Sequence, residues 1–207
     1  MWYFATIIDA RELRDLERKL SGFPGAFAKA VVEAVNHTTN KTRTLVVRAM
    51  AERYTLQSAK IRQAVTTVRA SLRSNSFEGE VITRGRPLSL INYQVTGKSL
   101  AARRRGPKPG GLMVRVLRGG PAKQLRHAFI TYGKVAKSGS SNIHVFQRVM
   151  EGGKPVGRYP IEVLPAPSQP SQTKTILPQV APQINSTLMN RLRRDVDRLF
   201  STGGKWK

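Results

Sequence analysis

The sequence contains no cysteine and only three histidines, and both shortages limit the chemistry it can perform. Without cysteine there are no disulfides, no thiolate metal sites and no cysteine nucleophile. The histidines, His37, His127 and His144, do not show the His-x-x-x-His spacing of metal ligands. A phosphate-binding glycine motif of the Walker or Rossmann kind is also missing. The residues therefore predict a protein that is not an enzyme and that uses neither metal nor cofactor.

Long hydrophobic runs are missing as well. The longest, such as residues 2–8, are far shorter than the ~20 apolar residues that cross a bilayer, so no membrane contact is expected. Apolar residues nevertheless make up 40% of the chain, which is enough to build a hydrophobic core. A length of 207 residues predicts a single domain.

Acidic residues are scarce and unevenly placed. The chain has 36 Lys and Arg against 12 Asp and Glu, a formal net charge of +24, and residues 81–150 contain 14 basic side chains and no acidic one. Such a segment cannot neutralise itself, so its counter-charge must come from another molecule or from salt. Nucleic acid is the first candidate, an acidic protein surface the second and anionic lipid a distant third. The alternative is a solvated basic face.

Hydrophobic spacing predicts helices in the first third of the chain. A short strand over 2–8 leads into a helix that starts near Asp9, and apolar residues at helical spacing predict a long helix over 26–53. Weak helix formers at 36–40 could bend that helix. A second helix is expected to follow Thr55.

The pattern then changes to that of a small antiparallel sheet. Alternating or short apolar runs, separated by glycine-rich turns, predict strands near 68–72, 81–91, 112–117, 127–131, 143–149 and 159–163. Dense proline follows and predicts an extended connector over 165–182. Beyond it, an i, i+4 apolar stripe predicts an amphipathic C-terminal helix over 183–201.

The predicted fold class is α+β. We expect residues 1–207 to form one domain with four parts. These are a mainly helical part over 1–66, a β-rich part over 67–164 that includes a basic loop over 97–111, the proline-rich connector over 165–182 and the C-terminal helix over 183–201.

The basic loop over 97–111 holds the densest charge. Its Pro and Gly residues oppose helix and sheet, and three consecutive arginines cannot all face inward. Arginine pairs with phosphates without reading sequence, and residues 94–128 lack the aromatic side chains that stack on single strands, so a duplex backbone is the favoured nucleic-acid target. Alternatively, the loop docks on acidic neighbours in an assembly. The candidate DNA- or partner-binding residues are Arg103, Arg104, Arg105, Lys108, Arg115, Arg118, Lys123 and Arg126.

Glu78 and Glu80 form the one pair of close carboxylates that we considered for acid–base or metal chemistry. Residues i and i+2 of a strand lie on the same face, so the two could act together. The basic residues Arg73, Arg84 and Arg86 surround them in sequence. Ion pairing is therefore the expected role of both.

Several segments resemble a known family. They are residues 34–42 with their continuation to residue 61, the series Phe146-Gln147-Arg148-Val149, the series Arg158-Tyr159-Pro160-Ile161-Glu162-Val163, and Ala166-Pro167-Ser168-Gln169-Pro170. In these segments the chain is similar to minor tail protein Z of tailed bacteriophages and to related neck and tail-completion proteins. The resemblance covers roughly residues 8–200. Relatives commonly have glycine before the Pro-Ser pair, where this chain has Ala166.

The resemblance implies a structural virion protein at the head-proximal end of the tail, made in the host cytoplasm and assembled into the particle. It implies a homo-oligomeric ring, expected to have six subunits, that surrounds the DNA channel and enables head–tail joining. Its implied partners are other neck, connector and tail-tube or terminator proteins, with non-specific contact to genomic DNA. The alternative that the charge alone supports is a stand-alone, sequence-independent DNA-binding protein.

Overall fold

The computed structural model describes residues 24–73, 77–96, 111–134, 141–157 and 161–202. The chain groups into two compact units, one of residues 1–49, 62–84 and 172–207 and the other of residues 50–61 and 85–171. Long helices and small antiparallel sheets confirm the predicted α+β class. The predicted strand over 2–8 and the helix near Asp9 lie outside the described residues.

The first helix, α1, spans Pro24–Arg53 and confirms the predicted long helix. Its thirty residues make it about 45 Å long. The polar stretch that could have bent it stays helical. There the hydroxyls of Thr38 and Thr39 donate to the carbonyls of Ala34 and Val35, both at 2.8 Å. The two buried threonines are thus satisfied without interrupting the helix.

A short helix, α2 (Ser58–Ala64), leads directly into the hairpin of β1 (Val65–Val68) and β2 (Glu80–Thr83). The strands pair antiparallel from Val65 opposite Thr83 to Val68 opposite Glu80. One face of this ribbon is apolar and buried at Val65 and Val81. The side chain of Arg43 on α1 donates from Nε to the Val65 carbonyl at 3.0 Å, which ties the hairpin to the helix.

The second unit carries the other strands and a 3₁₀ turn at Leu90–Asn92. The strands are β3 (Leu88–Ser89), β4 (Gln94–Val95), β5 (Leu112–Arg115), β6 (Lys123–Leu125), β7 (Ala128–Lys134), β8 (Ser141–Arg148), β9 (Met150–Glu151), β10 (Lys154–Pro155), β11 (Ile161–Val163) and β12 (Pro165–Ala166). They form antiparallel sheets in the orders β4–β5–β6, β11–β8–β7, β12–β3 and β10–β9.

The last helix, α3, spans Gln169–Ser201, so the predicted extended connector over 165–182 is wrong from residue 169 onward. Pro170 lies in the first turn, where the absent N–H has no helical partner to lose. Pro178 and Pro182 lie inside the helix and are exposed. Each removes a helical hydrogen bond at a cost of about 3 kcal/mol.

A buried apolar stripe compensates for these prolines. It repeats at i, i+4 spacing through the proline region and on to the end of the helix. Burying each such side chain contributes about 1.5–3 kcal/mol, so together they outweigh the two prolines. The stripe consists of Ile176, Val180, Ile184, Leu188, Leu192, Val196 and Leu199.

The start of α3 is fixed by the Pro-Ser-Gln-Pro series. Ser168 is the N-cap residue, and its hydroxyl accepts the N–H of Ser171 at 3.4 Å. The buried side chain of Gln169 donates from Nε2 to the Lys60 carbonyl at 3.2 Å. Ala166, just before this series, is buried in β12, where it pairs with Leu88.

In the first unit, a hydrophobic cluster of described residues joins α1 to α3. The N-terminal half of α1 supplies half of its residues, the C-terminal half of α3 supplies most of the rest, and Ala70 joins it from the segment after β1. Its buried members are Ala30, Val31, Val32, Ala34, Val35, Ala70, Leu188, Leu192, Val196 and Leu199.

Candidate nucleic-acid interface

The basic loop is the connection between β4 and β5, and both of its anchor points are described. The N–H of Thr96 donates to the Met113 carbonyl at 3.0 Å, and the N–H of Met113 donates to the Thr96 hydroxyl at 3.0 Å. Gly111, the last residue of the loop, has a φ of +79°, and a Cβ there would overlap the Leu125 carbonyl. The chain therefore has to leave the loop through a glycine. Arg103, Arg104, Arg105 and Lys108 lie outside the described residues.

The four other candidate residues lie at different positions on the β4–β5–β6 sheet and just after its strands. Leu112 pairs with Leu125, so the exposed Arg126 lies at the end of the sheet where the basic loop is anchored. Arg115 is the last residue of β5. It lies three residues beyond Leu112 and thus about 10 Å farther along the strand. The exposed Lys123 lies between them, opposite Val114.

Arg118 has a structural role that the sequence did not indicate. Its Nε donates to the carbonyls of Ala51 at 2.6 Å and Tyr54 at 3.2 Å, and its backbone N–H donates to the Arg53 carbonyl at 2.9 Å. These carbonyls belong to the C-terminal end of α1, where the last helical acceptors lack helical donors. A cation is favoured there by the helix dipole. Arg118 therefore caps α1, whatever else it binds.

Arg115 is half-buried, whereas Arg118, Lys123 and Arg126 are exposed. It lies opposite Gln94 on the face of the sheet that carries Met113, whereas Leu112 and Val114 point to the buried side. The Nε of Arg115 is buried and has no hydrogen-bond partner in the described part of the chain. An unpaired guanidinium nitrogen is costly. The Nε itself is closed to a docking partner, so an acceptor from outside meets only the exposed part of this half-buried side chain.

The histidines are not assembled into a catalytic arrangement. His37 and His127 are exposed, and the ring of His144 stands edge-on to Phe146 with centroids 6.0 Å apart. Both ring nitrogens of His144 are buried without a hydrogen-bond partner among the described residues. In that same part of the chain, His, Asp and Glu form no cluster of three that could hold a metal ion.

The predicted ion pairs of Glu78 and Glu80 with Arg73, Arg84 and Arg86 are absent among the described residues. Glu78 lies exposed before the hairpin strand β2, and Glu80 pairs with Val68 at its start. The backbone N–H of Arg84 bonds to the Ala64 carbonyl at 2.9 Å, and its side chain is exposed. Both carboxylates are thus left for another partner.

Comparison with known protein families matches residues 11–201 to prophage minor tail protein Z. The chain belongs to this family. It is accordingly a structural protein of a phage tail, as the resemblance predicted. No curated protein and no solved structure matches the chain. None of the described helices is long and apolar enough to cross a membrane.

The residues by which the chain resembles minor tail protein Z are mostly scaffold. Asn36 binds the backbone of Ala70, and Thr39 is buried against its own helix. Gln169 is buried where α3 begins. None of these three is one of the basic candidates, so membership of this family does not by itself indicate what the basic residues bind.

Proposed function

We propose that this tail protein is a ring subunit at the head-proximal end of the tail, where it completes the tail for head–tail joining and surrounds the DNA channel. On this proposal it acts by assembly and not by catalysis. Family membership supports the tail role, and the observation that carries the finer statement is the charge distribution. Residues 81–150 hold 14 of the 36 basic residues and none of the 12 acidic ones.

A ring multiplies this charge by its number of subunits. Such a ring repels itself unless the charge meets DNA phosphates or acidic partner surfaces. DNA has to pass through a tail, so tight base-specific contacts would obstruct it. Contacts from Arg and Lys to phosphates are independent of sequence and would let it slide. We therefore assign Arg103, Arg104, Arg105, Lys108, Lys123 and Arg126 to DNA or to neighbouring subunits.

The test replaces Arg103, Arg104 and Arg105 together by Gln in a phage that depends on this protein. The matched control replaces three exposed arginines of the other unit that lie outside residues 81–150, Arg62, Arg194 and Arg198, by Gln, which removes the same charge. We expect the first variant to fold and yet to lower the yield of head-joined tails in electron micrographs, while the control retains it. Equal yields from both variants would contradict the role of the basic loop.

A stand-alone DNA-binding protein is the second candidate, because the acid-free segment by itself would suit it. Light scattering of the purified protein separates the two. A discrete oligomer favours the ring subunit. A monomer whose affinity for duplex DNA falls steeply with salt favours the alternative, because phosphate contacts release counterions.

A further inference from the structure

The end of the β1–β2 hairpin exposes three large apolar side chains. Val68, Leu72 and Phe77 are 47%, 46% and 41% exposed. All three lie within ten residues of one another in sequence. Isolated exposed apolar residues are normal, but a cluster of them marks an interaction surface. We call Val68, Leu72 and Phe77, together with Glu78 and Glu80, the hairpin tip.

Ala70 and Gly79, in the connection between β1 and β2, both lie against α1. The side chain of Asn36 both donates to the carbonyl of Ala70 at 3.0 Å and accepts its N–H at 2.9 Å. Gly79 lies so close to α1 that a Cβ would overlap the hydroxyl of Thr39. The chain therefore contacts α1 at Ala70 and at Gly79, the residues on either side of Leu72 and Phe77 in sequence.

The hairpin tip also offers acceptors. The carboxylates of Glu78 and Glu80 take part in no ion pair within the described ranges. Arg69 and Arg73, which are exposed, lie on the β1 side of the same connection. The acidic side chains are on the β2 side. Exposed apolar side chains such as Phe77 next to charges of both signs favour a protein partner.

The second unit carries a surface that combines exposed apolar side chains with an arginine. On β5 and just beyond it, Met113 and Leu117 are 39% and 41% exposed, and Arg115 lies between them in sequence. Arg115 has the buried Nε without an acceptor. Met and Arg are enriched in the buried centres of protein interfaces, whereas apolar side chains add nothing to phosphate binding. We call Met113, Arg115 and Leu117 the β5 outer face.

The two surfaces complement each other. One has apolar side chains and carboxylates that form no ion pair among the described residues, and the other has apolar side chains and the guanidinium of Arg115, whose Nε lacks an acceptor among those residues. Every copy of the chain carries both, on different units. Contact between two different surfaces of identical chains is a head-to-tail interface, and such interfaces close into rings when the rotation allows it.

We propose that the hairpin tip of one copy docks on the β5 outer face of the next copy, with Glu78 or Glu80 bound to Arg115. The occupant is thus a second copy of this chain. This inference rests on the proposed ring and names the residues that build it. It also assigns Arg115 to a subunit contact, while Lys123 and Arg126 remain available to DNA.

Charge reversal tests the pairing directly. We compare the wild type with Arg115→Glu, with Glu78→Arg combined with Glu80→Arg, and with all three changes in one chain. Circular dichroism checks folding, and light scattering measures mass. We expect an oligomer for the wild type, monomers for either reversal alone, and an oligomer again when the three changes are combined. Restored assembly cannot result from a folding defect, because the combined chain contains every change.

Mixing the two charge-reversed variants gives an independent test of the pairing. In an equimolar mixture each reversed chain offers what the other lacks, so the two monomeric variants should assemble together. Lys154→Glu, an exposed residue of the same unit as Arg115, is the control for a reversal elsewhere and should leave the mass unchanged. If the triple variant stays monomeric, or if the single reversals oligomerise like the wild type, the proposed pairing is wrong.

The same variants are then scored for head–tail joining, which separates this inference from the proposed function. Tails that join heads without this protein would refute the proposed function. Tails that require the protein but accept Arg115→Glu as readily as the wild type would refute the interface alone. Joining that fails with each reversal and returns with the combined chain would support both.

Discussion

The side chain of Asn36 forms a two-bond clamp whose removal should be measurable. Asn36→Ala removes the Nδ2 donor to the Ala70 carbonyl at 3.0 Å and the Oδ1 acceptor of its N–H at 2.9 Å. Each hydrogen bond contributes about 0.5–1.5 kcal/mol net, and Ala70 is buried, so its peptide groups would lose their partners without gaining water. We expect a loss of about 1–3 kcal/mol in the free energy of unfolding.

Asn40 provides a matched control on the same helix. It is exposed, and its backbone carbonyl, not its side chain, accepts a hydrogen bond, from the Thr44 hydroxyl at 3.1 Å. Asn40→Ala makes the same change in helix propensity, which favours Ala by roughly 0.5 kcal/mol at either site. The difference between the two variants therefore isolates the clamp from propensity.

Denaturant unfolding of the purified proteins, followed by circular dichroism, measures this difference. In a thermal scan, Asn36→Ala should melt lower than Asn40→Ala by about 2–4 °C for each kcal/mol in a chain of this size. Exchange of the Ala70 amide hydrogen should also accelerate in Asn36→Ala alone. If both variants unfold at the same denaturant concentration and protect that amide equally, the clamp does not stabilise the hairpin.

Two further substitutions probe packing in the same unit. Gly79→Ala should destabilise the protein by about 1–3 kcal/mol, because the added Cβ overlaps the Thr39 hydroxyl and approaches Val35. The loss should be smaller in a Thr39→Ala background. Equal losses in both backgrounds, measured by denaturant unfolding, would contradict this. Leu192→Ala should cost about 2–5 kcal/mol, since Leu192 is fully buried in the α1–α3 cluster. An unchanged melting temperature would exclude it from the core.

The sequence was sufficient to predict those elements whose apolar spacing is a local pattern. Apolar spacing predicted the long first helix to its C-terminal residue, Arg53. The extended connector that proline content predicts is wrong at residues 169–182, which are helical. Ile176 and Val180 continue the stripe that starts again at Ile184, so the signal for helix was present. Burial of that stripe outweighs two exposed prolines, which a proline count alone cannot show.

The candidate site was less predictable, because the role of an arginine depends on what lies beside it in space. Arg115 and Arg118 are three residues apart and looked equivalent. In the fold, Arg118 donates to helix carbonyls contributed by residues more than sixty positions earlier. Arg115 instead projects from a strand beside exposed Met113, with its Nε unpaired among the described residues. Long-range contacts of this kind leave no local pattern.

The family motif and the basic charge of this chain therefore concern different residues. Motif residues such as Asn36, Thr39 and Gln169 bind backbone groups and are wholly or partly buried, so a family resemblance that depends on them reports the scaffold. The candidate basic side chains of Lys123 and Arg126 are exposed. Their charge has to be balanced by whatever surrounds the protein. It follows that substitutions in the motif should change stability, whereas substitutions in the candidate basic residues, Arg118 excepted, should change assembly or DNA contact while the fold persists.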